Sequence, residues 1–161
     1  MKVWMQRCWP KCRVKLSQWL WSAMLVLSCM VAGPASAKAP AGRYTIATAS
    51  VFDTVTKLTW QRAHFDGTKN WADAKTYCSA LALDKGGWHL PTVKELLTIV
   101  DLSVFNPAID SVAFPNTPTN EYFWSATPYA PSSGYAWLVT FGDGFANSTV
   151  VSSSRRVRCV R

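Results

Sequence analysis

Three observations predict an α+β domain. Two helix signals with well-formed starts fall between residues 70 and 100. Strand-like runs separated by Pro and Gly turns fill the stretch from 122 to 160. Cys78 lies in the first helix signal and Cys159 in the last strand-like run, so a bridge between them ties helix to sheet.

From Tyr44 the pattern is β-like: Tyr44, Ile46, Val51 and Phe52, a turn over Asp53–Lys57, and a return strand Leu58–Gln61. Asn70 is placed to cap a helix over Trp71–Leu83. There Trp71, Ala74, Cys78 and Leu81 recur at helical spacing and form one apolar stripe. Lys85-Gly86-Gly87 ends it. Thr92 and Glu95 stand at capping-box spacing, with Pro91 just outside, and predict a shorter helix from about Val93 to Val100. The chain from Asp101 to Pro118 is irregular and proline-rich. Strands are predicted at Tyr122–Thr127, Ala136–Phe141 and Val157–Val160, with a weaker one around Phe145–Val151 and turns at Pro131–Gly134 and Gly142–Gly144. In the tail, Arg155-Arg156-Val157-Arg158-Cys159-Val160-Arg161 alternates like a strand with one charged face.

The N-terminus has the three parts of a secretory signal. Lys2, Arg7, Lys11, Arg13 and Lys15 precede an uncharged stretch from Leu16 to Ala37, which ends in Gly33-Pro34 and Ala35-Ser36-Ala37. This predicts a signal peptide at 1–37, a short leader at 38–43 and one domain at 44–161. The mature protein is then secreted, periplasmic or in the cell envelope. Two alternatives are an uncleaved anchor, since about 20 apolar residues span a bilayer, and a lipid anchor at Cys29. The membrane is a partner only through this segment, if it stays uncleaved.

Cleavage changes the charge and cysteine counts. The whole chain carries +8, from 17 Lys and Arg against 9 Asp and Glu. Five of the basic residues and no acid lie before residue 16, so the domain keeps a net +3 and nucleic acid is not an expected partner. Five cysteines become two. Two cysteines in an exported domain ordinarily form one disulfide, and their spacing with His64 and His89 does not suit a metal site.

The ordered series Leu58, Trp60, Trp71, Ala74, Cys78, Leu81, Gly87-Trp88, Leu90-Pro91-Thr92 and Glu95-Leu96 carries a family resemblance. It continues through Asp101, Pro107-Ala108-Ile109-Asp110, Phe114-Pro115, Trp124-Ser125, Ala136-Trp137, Val139, Phe141 and Arg156–Arg161. The series resembles the Lcl C-terminal domain, a bacterial domain of unknown function named from the Legionella collagen-like adhesin. His89 stands where the family usually has Arg, and Phe123 and Ala126 replace a usual Tyr and Ser. The resemblance implies a C-type-lectin-like fold, with two helices on a curled antiparallel sheet and one disulfide from helix to last strand. It also implies export, and the adhesin itself is associated with sulfated glycans.

Catalytic chemistry finds little support in these residues. The fold is shared with formylglycine-generating enzymes, which need reactive cysteines, and here both mature cysteines serve the staple. No Gly-x-Ser-x-Gly or His-Glu-x-x-His occurs. His64 and His89 read as loop residues. The expectation is therefore no catalytic residue, no metal and no cofactor. The Glu-Pro-Asn, Gln-Pro-Asp and Trp-Asn-Asp motifs of calcium lectins are missing, which leaves calcium only the scattered oxygens of Asp101, Asp110, Glu121 and Asp143. Trp60, Trp71, Trp88, Trp124 and Trp137 sit in apolar stripes and read as core. The candidate ligand-binding surface is the loop 106–120 with its neighbour 129–135, and its candidate residues are Asn106, Asp110, Asn116, Asn120, Tyr129 and Tyr135. The favoured function is a non-enzymatic recognition or adhesion domain for a glycan or envelope protein. The alternatives are an enzyme of this fold, marked by a pocket joining Asp110, His89 and Arg, and a structural envelope component.

Overall fold

The computed structural model describes residues 41–161; the predicted signal segment, Cys29 and the leader residues before Ala41 lie outside them. The elements run β1 (Tyr44–Ile46), β2 (Ser50–Asp53), β3 (Thr59–Gln61), α1 (Trp71–Ser79), α2 (Val93–Thr98), β4 (Tyr122–Pro128), β5 (Tyr135–Thr140) and β6 (Ala146–Val150). They form two antiparallel three-stranded sheets, β1-β2-β3 and β4-β5-β6. Among the described residues no helix is long and apolar enough to cross a membrane.

The helix starts form as their residues dictate. Asn70 accepts the Asp73 amide at the head of α1. At α2, Thr92 Oγ1 accepts the Glu95 amide at 3.2 Å, and the Glu95 carboxylate accepts the Thr92 amide at 2.7 Å, a complete capping box. Both helices stop earlier than predicted. The chain leaves α1 at Ala80, and Asp84, Gly86 and Gly87 take positive φ, a conformation outside any helix.

β4 and β5 divide the interior between them. Successive strand residues face opposite sides, so Phe123 and Val139 enter one core with Val51, Trp60, Leu96, Ile109, Phe114 and Phe141. Trp124 and Leu138 enter a second core with Ala74, Cys78, Trp88, Leu90, Val157 and Cys159. The register of β4 on β5 shifts between Trp124 and Pro128. This bulge frees the Ala126 amide to donate to Pro91 O at 2.7 Å, and Thr127 Oγ1 accepts the Val93 amide. The bulge thereby fixes the entry of α2 against the sheet.

The segment Arg155–Arg161 departs from expectation. It is a chain of isolated bridges, because its residues pair in turn with different elements: Lys69 with Arg155, Phe123 with Arg156, and both Trp60 and His89 with Val160. It also lacks a fully charged face. Arg158 is 0 % exposed. Its guanidinium donates to Thr117 Oγ1 at 2.7 Å and to Arg62 O at 3.3 Å, and lies 4.7 Å over the Phe114 ring and 5.7 Å from that of Phe123. Aromatic faces and two oxygens take the place of a carboxylate partner. Burial pushes its proton affinity down, to a pKa of about 9.

Cys78 and Cys159 are bonded across 81 residues of sequence and are fully buried. Arg43 donates to both oxygens of Asp53 and to Thr98 O, fastening the start of β1 to the end of α2. Burial alone raises Asp53, but hydrogen bonds from Arg43 and the Val55 amide outweigh it and hold the carboxyl below its usual range.

Two outcomes follow from these ties. Removing the bridge by Cys78→Ser with Cys159→Ser should lower unfolding free energy by on the order of 4 kcal/mol, less any strain released, in denaturant titrations. Because Asp53 is depressed in the folded state, its contribution is present above the ordinary Asp range and is lost as pH falls through the lower folded value. Stability measured from pH 6 down to pH 2 should therefore decline more steeply in the native chain than in Arg43→Met.

Candidate functional site

The irregular chain between α2 and β4 is held by its own turns and by two bonds to the chain just after β5. The Asp101 amide donates to Ala108 O, Ala108 to Phe141 O, Asn106 to Gly142 O and Phe114 to Asp110 O. Ala108, Ile109, Ala113 and Phe114 are buried and anchor the loop in the first core. Asn106 and Asn116 both take positive φ, 51° and 55°, which asparagine tolerates better than most residues. Asp110 Oδ1 accepts the amides of Val112 and Ala113 at 2.9 and 3.0 Å, so it organises a turn. His64 places Nδ1 2.9 Å from Phe65 O and Nε2 3.0 Å from Asn116 O, joining the two loops. Asn120 is exposed.

The two halves of the predicted surface do not come together. Asn106 and Ala108 bond to Gly142 and Phe141, just beyond one end of β5. Tyr129 bonds to Tyr135, where β5 begins, and its ring meets Trp137 edge-on at 5.1 Å. The length of a six-residue strand, about 20 Å, lies between them. Tyr129 and Tyr135 form their own hairpin, and the loop 106–120 forms a separate surface.

That loop surface has a feature no single residue type announced. Val104, Phe105, Pro107, Ile109 and Val112 line a cavity of about 280 Å³ together with Asp101, Asp110 and Ser111. Around it Leu102 is 80 % exposed, Phe105 78 % and Val112 72 %. Large apolar side chains held outward on an anchored loop are a recognised mark of an interaction site. The available sequence signal was the run Leu102-Ser103-Val104-Phe105, apolar yet outside any helix or strand period.

The remaining candidates have structural duties. Glu121 makes a two-pronged pair with Arg156, both contacts at 2.7 Å, and that pairing holds its carboxyl below the usual range. Asp143 Oδ1 accepts the Phe145 amide, and Asp101 Oδ1 accepts from Ser103. Among the described residues no three His, Cys, Asp or Glu side chains gather as a metal-holding group. His89 lines a different, more open groove of about 450 Å³ with Lys75, Ser79 and Thr92, and stands 3.5 Å from Glu95. Asp110 and His89 therefore do not converge. Trp60, Trp88 and Trp124 are core residues as expected, whereas Trp71 and Trp137 are half-buried; Lys75 lies 3.4 Å over the Trp71 ring.

Two helices, antiparallel sheets, and a disulfide from the first helix to the closing segment define a C-type-lectin-like domain. Within that class the chain belongs to the Lcl C-terminal domain family, whose model matches residues 49–161. Solved structures similar to it include botrocetin, at 9 % identity and TM-score 0.45, covering 76 % of this chain and 98 % of that one. CEL-IV is similar at 12 % identity and TM-score 0.40, covering 76 % and 93 %. EMS16, an antagonist of the collagen receptor integrin alpha2beta1, is similar at 12 % identity and TM-score 0.40, covering 76 % and 98 %. No curated protein matches the sequence.

Gly144 tests how tightly the site loop is seated. Its φ is +80°, and a Cβ there would stand 2.5 Å from Val100 Cγ1 and 3.0 Å from Leu102 Cδ2. Gly144→Ala should cost about 1–2 kcal/mol from the left-handed backbone alone, with steric displacement of Leu102 adding to it. Denaturation midpoints measure the cost, and amide shifts at residues 100–105 locate it.

Proposed function

We propose that this is an exported recognition domain without enzymatic activity, which takes a glycan or protein ligand at the loop between α2 and β4. The observation that carries the reading is the cavity lined by the exposed Phe105 and Val112 on a loop bonded to the body at Asn106 and Ala108. A rigid scaffold presenting an ordered loop is the common design of binding surfaces. The N-terminal signal pattern supports export, and a buried disulfide suits an oxidising compartment outside the cytosol. Export places the domain in the periplasm, on the envelope or in the medium. Asp110 and His89 line different cavities, so the pocket that would have favoured the enzyme reading is not among those they line.

The purified protein should bind saturably to at least one member of a broad glycan array or an envelope-protein array. Phe105→Ser with Val112→Ser should weaken that binding by about tenfold, the effect of roughly 1.4 kcal/mol of lost apolar contact, without shifting the melting temperature. Failure to bind anything on either array would sink the proposal.

A further inference from the structure

His64 faces two acceptors at once, and an uncharged ring has only one proton to offer them. Nδ1 stands 2.9 Å from Phe65 O and Nε2 3.0 Å from Asn116 O. A carbonyl oxygen accepts and never donates. A neutral imidazole carries one N–H and one lone pair, so in either tautomer one nitrogen turns its lone pair toward a carbonyl oxygen. Only the imidazolium makes both bonds, and bonds from a charged donor are the stronger kind. We infer that His64 is a proton-operated clasp on the loop 106–120, closed on both carbonyls when doubly protonated and holding only one of them when neutral. Either the neutral ring lets go of Asn116, or it loses the bond that aims it there.

The clasp joins a fixed segment to the candidate binding loop. On the near side the Phe65 amide donates to Val157 O, which ties the ring's own loop to the closing segment. The ring also meets Phe123 edge-on at 5.7 Å. On the far side Asn116 holds a positive φ, and the next residue, Thr117, accepts from Arg158 and donates to Phe114 O. Arg62, two residues before the ring, reaches the same loop at Val112 O, 3.5 Å away. Regulation of binding by this clasp rests on the reading that the loop is the recognition surface; the clasp itself needs no ligand.

The charged groups around the ring have other partners. Glu121, whose charge interacts with that of His64, is held by both prongs of Arg156. Arg156 also reaches Gly67 O, and Arg158 donates to Thr117 Oγ1 and Arg62 O. Asp66 and Arg62 flank the ring in sequence. Carboxylates and guanidinium groups ordinarily keep their charge from pH 5 to pH 8, whereas histidine is the side chain that changes charge there. The other histidine, His89, lines the separate groove with Lys75 and Thr92.

Nitrogen shifts of the purified protein, recorded from pH 5 to pH 8 without ligand, test the clasp. At pH 5 both ring nitrogens of His64 should carry protons. As one proton is lost, the amides of Asp66 and Thr117, which follow the two carbonyls, should move with the same midpoint as the ring. His64→Gln keeps a donor but cannot take up charge, so the movement at Thr117 should be lost in that variant. An unchanged amide spectrum elsewhere shows that the variant is folded, and the native titration stands by itself. A Thr117 amide that stays still while the His64 ring titrates overturns the inference. Movement at Thr117 that persists in His64→Gln overturns it too, as does a singly protonated ring at pH 5. No ligand enters this experiment, so its failure is distinct from a failure of the array experiment that tests recognition.

Discussion

The domain is assembled around its closing segment, Arg155–Arg161. Over these seven residues the backbone exchanges hydrogen bonds with Thr59, Gln61, Phe65, Lys69, His89, Tyr122 and Trp124, which belong to both sheets and to the loops between them. Side chains leave it in alternation. Val157 and Cys159 enter the second core, Val160 enters the first, and Arg158 lies over the Phe114 and Phe123 rings of the first. Neither three-stranded sheet is wide enough to bury both faces alone. The segment joins them, and the disulfide locks α1 to the join. The positions of β3, β4 and the loop before α2 follow from that placement.

Much of this was legible in the sequence, because local chemistry and the fold agree there. The capping box at Thr92 and Glu95 needs only four consecutive residues to specify itself, and the helix start forms as those residues require. The stripe Ala74–Cys78 faces the core because its period is helical. Cys78 and Cys159 pair as the only cysteines of the predicted mature domain. The charged face assigned to the tail was an error of a specific kind. Alternation shows that Arg158 points away from Val157 and Cys159, but not that solvent lies there. Thr117, Arg62 and two phenylalanines come from distant parts of the chain, and only their convergence makes an interior place for the cation.

The candidate surface was legible in part for the same reason. Prolines and asparagines marked 106–120 as a built loop, and two of those asparagines do hold unusual backbone positions. Its separation from the Tyr129 hairpin depends on the direction of β5, a tertiary fact with no local signal. The apolar rim carries little signal in the sequence, because exposed leucine and phenylalanine are ordinary when scattered. What sets them apart is that Leu102, Phe105 and Val112 gather on one anchored loop.

The closing segment has a further consequence for how the chain acquires its shape. Within the domain it is the last stretch to be synthesised, yet β3, His89 and β4 all need it as a partner. Until it arrives, Trp60 and Phe123 lack the strand that covers them, and the contacts that join the two cores are of long sequence separation. The joining of the two cores therefore depends on contacts far apart in sequence, unlike the local turns that start α1 and α2.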